Sequence, residues 1–139
     1  MRNNSLDQTT YLAEFDNGGA FTKGIGCRIL SASFERAEGE LVIDPARHLN
    51  SAGVVHGGVY LALADVTAAA AANADGQRRL TASGSFEIFG GAAKGTLHAV
   101  ATLLSASRRL AYHEVRITDD LGRLLFRQTA QGYCVGQTP

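Results

Sequence analysis

The chain has no tryptophan, one methionine, two prolines and two cysteines, and its thirteen basic and thirteen acidic side chains cancel. Each shortage removes a class of explanation. Cys27 and Cys134 lie far apart and form no C-x-x-C spacing, which argues against a zinc site or a disulfide scaffold. Two reduced thiols fit a cytoplasmic protein. A balanced charge provides no global field for capturing nucleic acid or an anionic membrane, so neither is an expected partner. Any anionic ligand must be met by a local cluster of Arg or Lys. The polar opening MRNNSLDQTT lacks the apolar stretch of a signal peptide. The most membrane-like run, Val54 to Ala72, holds His56 and Asp65 and is otherwise rich in Ala and Gly, which argues against a span.

What is present suffices for one domain. At 139 residues and 45% hydrophobic, the chain can bury a core without metals or disulfides. Ser5 to Phe15 reads as a short helix, with Ser5 and Gln8 placed as in a capping box and Leu6, Tyr11, Leu12 and Phe15 as a partial apolar face. A Gly18-Gly19 patch and loop follow. Ile25 to Phe34 reads as a strand, Arg36 to Glu40 as a turn, and Leu41 to Ile43 as a second strand ended by Asp44-Pro45. The segment from about Gly57 to Asn73 is the one strong helix signal, rich in Ala and Leu. Being apolar almost all round, it is predicted to be buried. Strands are then expected at Thr81–Phe89, Thr96–Ser105, Ala111–Thr118 and Arg123–Tyr133, as an antiparallel meander with a hairpin turn at Asp119–Gly122. One antiparallel sheet wrapped around one long helix is the economical α+β architecture.

The chemistry concentrates between Asn50 and Asp65. Gly57 and Gly58 open the central helix, where backbone N–H groups lack acceptors and the helix dipole is positive. Without Cβ atoms they let a carbonyl oxygen approach, which is how an oxyanion hole is built. A tight loop-to-helix turn is the commoner use of such glycines. Asp65 is the only side chain between His56 and Asp75 that is charged at neutral pH. A buried carboxylate without a partner costs several kcal/mol, so it needs either a structural partner or a role as base or nucleophile. His56 is a candidate to polarise a carbonyl or to cap the helix. Asn50 offers an amide that could hold water. His98 and His113 read as non-catalytic.

Spacing adds a constraint. Gly57 and Asp65 are eight residues apart, roughly 12 Å along a helix at ~1.5 Å per residue. Asp65 cannot reach a carbonyl held at the start of its own helix. If both serve one reaction, two antiparallel copies of the helix must lie side by side in a C2 homodimer.

The spacing Asn50, Gly53, His56, Gly57, Gly58 and then Asp65 resembles the phenylacetic-acid-degradation-type thioesterases of the hotdog superfamily. Ser107–Ala111 and Asp120–Leu124 resemble later segments of the same family, so the likeness runs from about residue 20 to residue 135. It implies a single hotdog domain over residues 1–139, with residues 1–20 as an N-terminal helix and loop. It implies an enzyme that hydrolyses an acyl- or aryl-CoA thioester to the free acid and CoA, with no metal and no cofactor. Asp65 would be general base or nucleophile, the Gly57 N–H the oxyanion donor, and Asn50 and His56 orienting groups. Gly58, Arg108 and Arg109 would bind substrate, the arginines through CoA phosphates; Arg78-Arg79 is a second cationic pair. A strand hydroxyl assisting the carboxylate is Thr81 or, failing that, Ser83. Self-association as a homodimer, and beyond it a tetramer, is expected. Family members often carry a Pro where this chain has Phe89 to Gly95, so the acyl region is expected to differ. Two other readings stand beside this one: a non-catalytic acyl-CoA binding or sensing module, and a dehydratase of hydroxyacyl thioesters.

Overall fold

The computed structural model describes Tyr11, Leu12, Phe15 and residues 19–137. Tyr11, Leu12 and Phe15 are helical, and the rest of the predicted Ser5–Phe15 helix lies outside the described residues. The described elements are α1 (Ala20–Ile25), β1 (Cys27–Ala32), β2 (Arg36–Val42), α2 (Gly57–Ala72), β3 (Gln77–Ile88), β4 (Thr96–Ala106), β5 (Leu110–Thr118) and β6 (Leu124–Gln137). The strands form one antiparallel sheet in the order β1-β2-β4-β5-β6-β3. Helix α2 packs against all six.

Alternation explains the sheet. In β2, Ala37, Gly39 and Leu41 are buried while their neighbours face outward. In β4 and β5, Leu97, Ala99, Ala101, Ala111, Val115 and Ile117 do the same. Small residues dominate both surfaces of the contact. A Cβ on Gly39 would stand 2.5 Å from Thr67 Oγ1, so glycine there sets how closely α2 approaches β2. Thr67 spends its own hydroxyl on the Leu63 carbonyl at 2.7 Å.

Four expectations are corrected. Arg36–Glu40 is not a turn; the turn is at Ser33–Glu35, and the charges of Arg36, Glu38 and Glu40 are the outward half of a strand whose inward half is Ala and Gly. Helix α1 stands where loop and strand are expected, because Thr22 and Gly24 are weak helix formers; it ends on Gly26 in the left-handed conformation, φ 86°. The last four strands are not a simple meander. Only β4-β5-β6 follow in order, and β3 pairs with β6 at the far edge, because α2 carries the chain across the sheet from β2 before β3 begins. Lastly, α2 is not buried all round. Gly58 and Asp65 are exposed, and Leu61, Ala62 and Ala69 are half-buried, a stripe at helical spacing along one side.

Candidate active site

A buried histidine anchors the loop that leads into α2. His48 is 1% exposed. Its Nδ1 accepts from the Asp44 N–H at 2.8 Å, so Nε2 carries the proton and donates to the Ile25 carbonyl at 2.8 Å. The His48 carbonyl in turn accepts from the His56 N–H at 2.8 Å. Nothing in the sequence distinguishes His48 from a surface histidine except its place after Asp44-Pro45. Asn50 tightens the same loop: its Oδ1 accepts from the N–H groups of Ala52 (2.9 Å) and Val54 (3.3 Å). Its amide nitrogen has no partner among the described residues.

The residues after β3 clamp this loop from the other side. Val55 N–H donates to the Ala92 carbonyl at 2.8 Å, and Tyr60 Oη to the Gly90 carbonyl at 3.1 Å. A Cβ on Gly91 would stand 3.2 Å from Val54. The Gly90-Gly91 pair is thus a close backbone contact.

His56 is the N-cap of α2. Its Nδ1 accepts from the Gly58 N–H at 2.9 Å. That bond decides between the two glycines. The Gly58 N–H is occupied by the cap, whereas the Gly57 N–H has no partner among the described residues. The cap also leaves His56 Nε2 as the ring's outward-facing position. A Cβ on Gly58 would stand 3.1 Å from His56 Nδ1, so Gly58 makes room for the ring.

Asp65 lies two turns further along α2, exposed rather than enclosed by apolar side chains as its sequence surroundings suggest. The neighbouring Leu, Val and Ala residues point into the core, and Asp65 falls on the open stripe. Its Oδ1 accepts from Thr81 Oγ1 at 2.7 Å. Ser83 does not take part; its hydroxyl donates to Gln131 Oε1 at 2.7 Å on the outer face of the sheet. Residues two apart on a strand normally share a face. A β-bulge between Thr81 and Ser83 breaks that rule here.

Strand β3 therefore runs beside α2 with Thr81 at Asp65 and Ile88 at Gly57, where a Cβ would meet Ile88 Cδ1 at 3.2 Å. Within one chain the structure brings together Asp65 with Thr81, and separately His56 with Gly57 and Gly58. Arg108 and Arg109 lie exposed in the β4–β5 turn, at the Thr81 end of the sheet. Arg109 Nη1 donates to Tyr133 Oη at 3.3 Å. Arg78-Arg79 is not a free cationic pair: Arg79 is buried, bonded to Asp75 at 2.8 Å, with its guanidinium 4.9 Å from the Phe34 ring centre. No helix among the described residues is long and apolar enough to cross a membrane.

No curated protein matches the chain. Solved structures do. The phenylacetic acid degradation protein PaaI of Thermus thermophilus, solved as a point mutant, is 27% identical with a TM-score of 0.78, over 84% of this chain and all of that one. PaaI of E. coli is 19% identical with a TM-score of 0.84, over 95% and 99% of the two chains. A hypothetical thioesterase of Streptococcus pneumoniae, solved with coenzyme A, is 18% identical with a TM-score of 0.81, over 92% and 99%. The family model of the thioesterase superfamily matches residues 52–126, more than half of the chain, from the Asn50 loop through α2 to β6. The chain belongs to the thioesterase superfamily and carries the hotdog fold.

Proposed function

We propose that the chain hydrolyses an acyl-CoA thioester, with Asp65 as the catalytic carboxylate. The observation that carries this is the Thr81–Asp65 hydrogen bond: an exposed carboxylate in mid-helix, held by one oxygen and free at the other. Oδ2 either takes a proton from water, whose oxygen attacks the thioester carbon, or attacks that carbon itself. Either step places negative charge on the carbonyl oxygen, where the Gly57 N–H at the start of α2 stabilises it. Collapse breaks the C–S bond. When water attacks, the proton held on Asp65 passes to the leaving CoA sulfur and the free acid departs. When Asp65 attacks, water then hydrolyses the acyl–Asp65 anhydride, which returns the carboxylate and supplies the thiol proton. Asn50 and His56 orient carbonyl and water, and Gly58 holds His56 in place.

Gly57 and Asp65 are ~12 Å apart on one helix, so the site needs a second chain. Two features support a C2 dimer. β3 is an edge strand with one side unpaired among the described residues, and Leu80 (57%), Phe86 (48%) and Ile88 (47%) stand exposed along it. The open stripe of α2 lies next to that edge. Pairing β3 with a second β3 joins the sheets and sets the helices antiparallel, each Asp65 beside the partner's Gly57. Two such dimers would form the tetramer. The CoA in the pneumococcal relative supports a CoA ester as substrate, and Arg108 and Arg109 are the cations placed to meet its phosphates. The free thiols of Cys27 and Cys134 fit a reducing cytoplasm. A thiol-release screen over aliphatic and aromatic acyl-CoAs tests this reading: turnover of at least one ester, abolished by Asp65→Ala in a folded protein, is expected. Binding without turnover across the panel would favour a sensing module, and enoyl-CoA formation a dehydratase.

A further inference from the structure

The last carbonyls of a helix have no N–H partner within it. At the end of α1, two of them are taken by one loop: Arg47 Nη1 donates to the Gly24 carbonyl at 2.9 Å, and His48 Nε2 to the Ile25 carbonyl at 2.8 Å. On the other side of the His48 ring, Nδ1 accepts from the Asp44 N–H, two residues past the end of β2. The ring thus bridges two backbone groups that lie outside the strand ladders. Leaving either unpaired in the interior would cost stability. That alone explains a buried histidine, but it does not explain where the rest of the residue is placed.

The backbone of His48 closes a second connection. Its carbonyl accepts from the His56 N–H at 2.8 Å, and Leu49 bridges Val55. Inside that base, the Asn50 N–H donates to the Val54 carbonyl at 2.8 Å and the Gly53 N–H to the Asn50 carbonyl at 3.0 Å. Residues 48–56 therefore form a closed loop, with His48 and His56 at its base and Asn50 near its tip. The exit of the loop is the His56–Gly57 peptide, which carries the Gly57 N–H. Downstream, α2 itself holds this peptide: the His56 carbonyl accepts from the Val59 N–H at 2.9 Å, and the His56 ring from the Gly58 N–H. Upstream, it is held by the His56 N–H on His48 and, one residue earlier, by the Val55 N–H on Ala92.

We infer that His48 is a positioning residue for the oxyanion donor: its ring locks the base of the 48–56 loop to the end of α1, and its carbonyl carries that hold to His56 and so sets the direction of the Gly57 N–H. At 1% exposure, it does this without touching substrate. The inference rests on the thioesterase reading above, in which the Gly57 N–H meets the charge on the carbonyl oxygen. Such a donor stabilises that charge only when it is aimed at it in advance. A displacement of about 1 Å, caused far from the chemistry, can cost about 100-fold in rate.

The test uses His48→Asn and His48→Gln. Asn places its amide oxygen where Nδ1 stands and keeps the bond from the Asp44 N–H. Gln places its amide nitrogen near Nε2 and keeps the bond to the Ile25 carbonyl. Each leaves one tie in place, so both chains are expected to fold with a lowered thermal midpoint. On an ester that the wild type hydrolyses, kcat should fall about 10–100-fold. KM should stay within about threefold, because the interaction lost belongs to the transition state. Repeating both changes in a Gly57→Pro chain separates aiming from folding. With the Gly57 N–H already gone there is nothing left to aim, and a further loss of no more than about twofold is expected. A merely structural His48 would lower the active fraction in either background. A loss repeated in full in the Gly57→Pro chain, wild-type kcat in both single variants, or failure of both to fold overturns the inference. A wild type that hydrolyses no ester is a different result: the thioesterase reading fails first, and the inference falls with it.

Discussion

Thr81 Oγ1 donates to Asp65 Oδ1 at 2.7 Å and ties the middle of helix α2 to the edge strand of the sheet. The bond fixes one carboxylate oxygen and so aims the other. Thr81→Val keeps the shape and removes the donor. Loss of a hydrogen bond to a charged group is worth about 1.5–3 kcal/mol, so kcat is expected to fall roughly 10–100-fold. Ser83→Ala, on the opposite face, should leave kcat within about twofold, since its partner Gln131 lies on the outer surface. Steady-state kinetics of the two variants on one ester checks the assignment.

Gly57 stands at the first helical position, where the fixed φ of proline is tolerated and the N–H has no helical acceptor. His56, with φ −62° and ψ 137°, already has the extended backbone that precedes a proline. Gly57→Pro therefore removes the proposed oxyanion donor with little cost to the helix, and kcat should drop by about 10²–10³. Gly57→Ala keeps the N–H and brings a methyl group 3.2 Å from the mobile end of Ile88. It should retain most of the activity. Equal losses in both variants would point to a steric role for the glycine.

The approach of α2 to β2 is set by Gly39 and Thr67. Gly39→Ala would place a Cβ 2.5 Å from Thr67 Oγ1 and should cost about 1–3 kcal/mol of stability through overpacking. Thr67→Ala in the same chain should relieve much of that cost. A double-mutant cycle by urea unfolding gives the coupling directly.

His113 carries a pH dependence of stability. Burial holds its pKa below the usual histidine value, opposed by the bond to the Phe34 carbonyl at 2.8 Å. The unfolded chain therefore binds the proton more readily than the folded one. The stabilisation is fully present above about pH 6.5 and is lost as pH falls from there through the folded value. Urea midpoints at pH 7.5 and 5.5 should show a smaller drop for His113→Gln than for the wild type.

Much of the site is readable in the residues themselves. The Gly57–Ala72 helix follows from composition, and the Asn50-to-Asp65 spacing marks its family. Three things escape for physical reasons. The bulge that separates Thr81 from Ser83 depends on cross-strand pairing with β6, which a single strand's alternation does not report. The exposure of Asp65 depends on which side of α2 one chain's sheet covers. The role of His48 depends on a partner, the Ile25 carbonyl, that lies 23 residues away in sequence.

The claim that each site is shared between two chains meets its most direct test in a mixed dimer. Asp65→Asn and Gly57→Pro chains, each expected to be inactive alone, can be coexpressed with different tags and purified through both. In the heterodimer one site joins an intact Asp65 to an intact Gly57, and the other carries both changes. Thiol release at about half the wild-type rate per dimer is the predicted result. A heterodimer as inactive as its two parents would contradict a site built from Asp65 of one chain and Gly57 of the other.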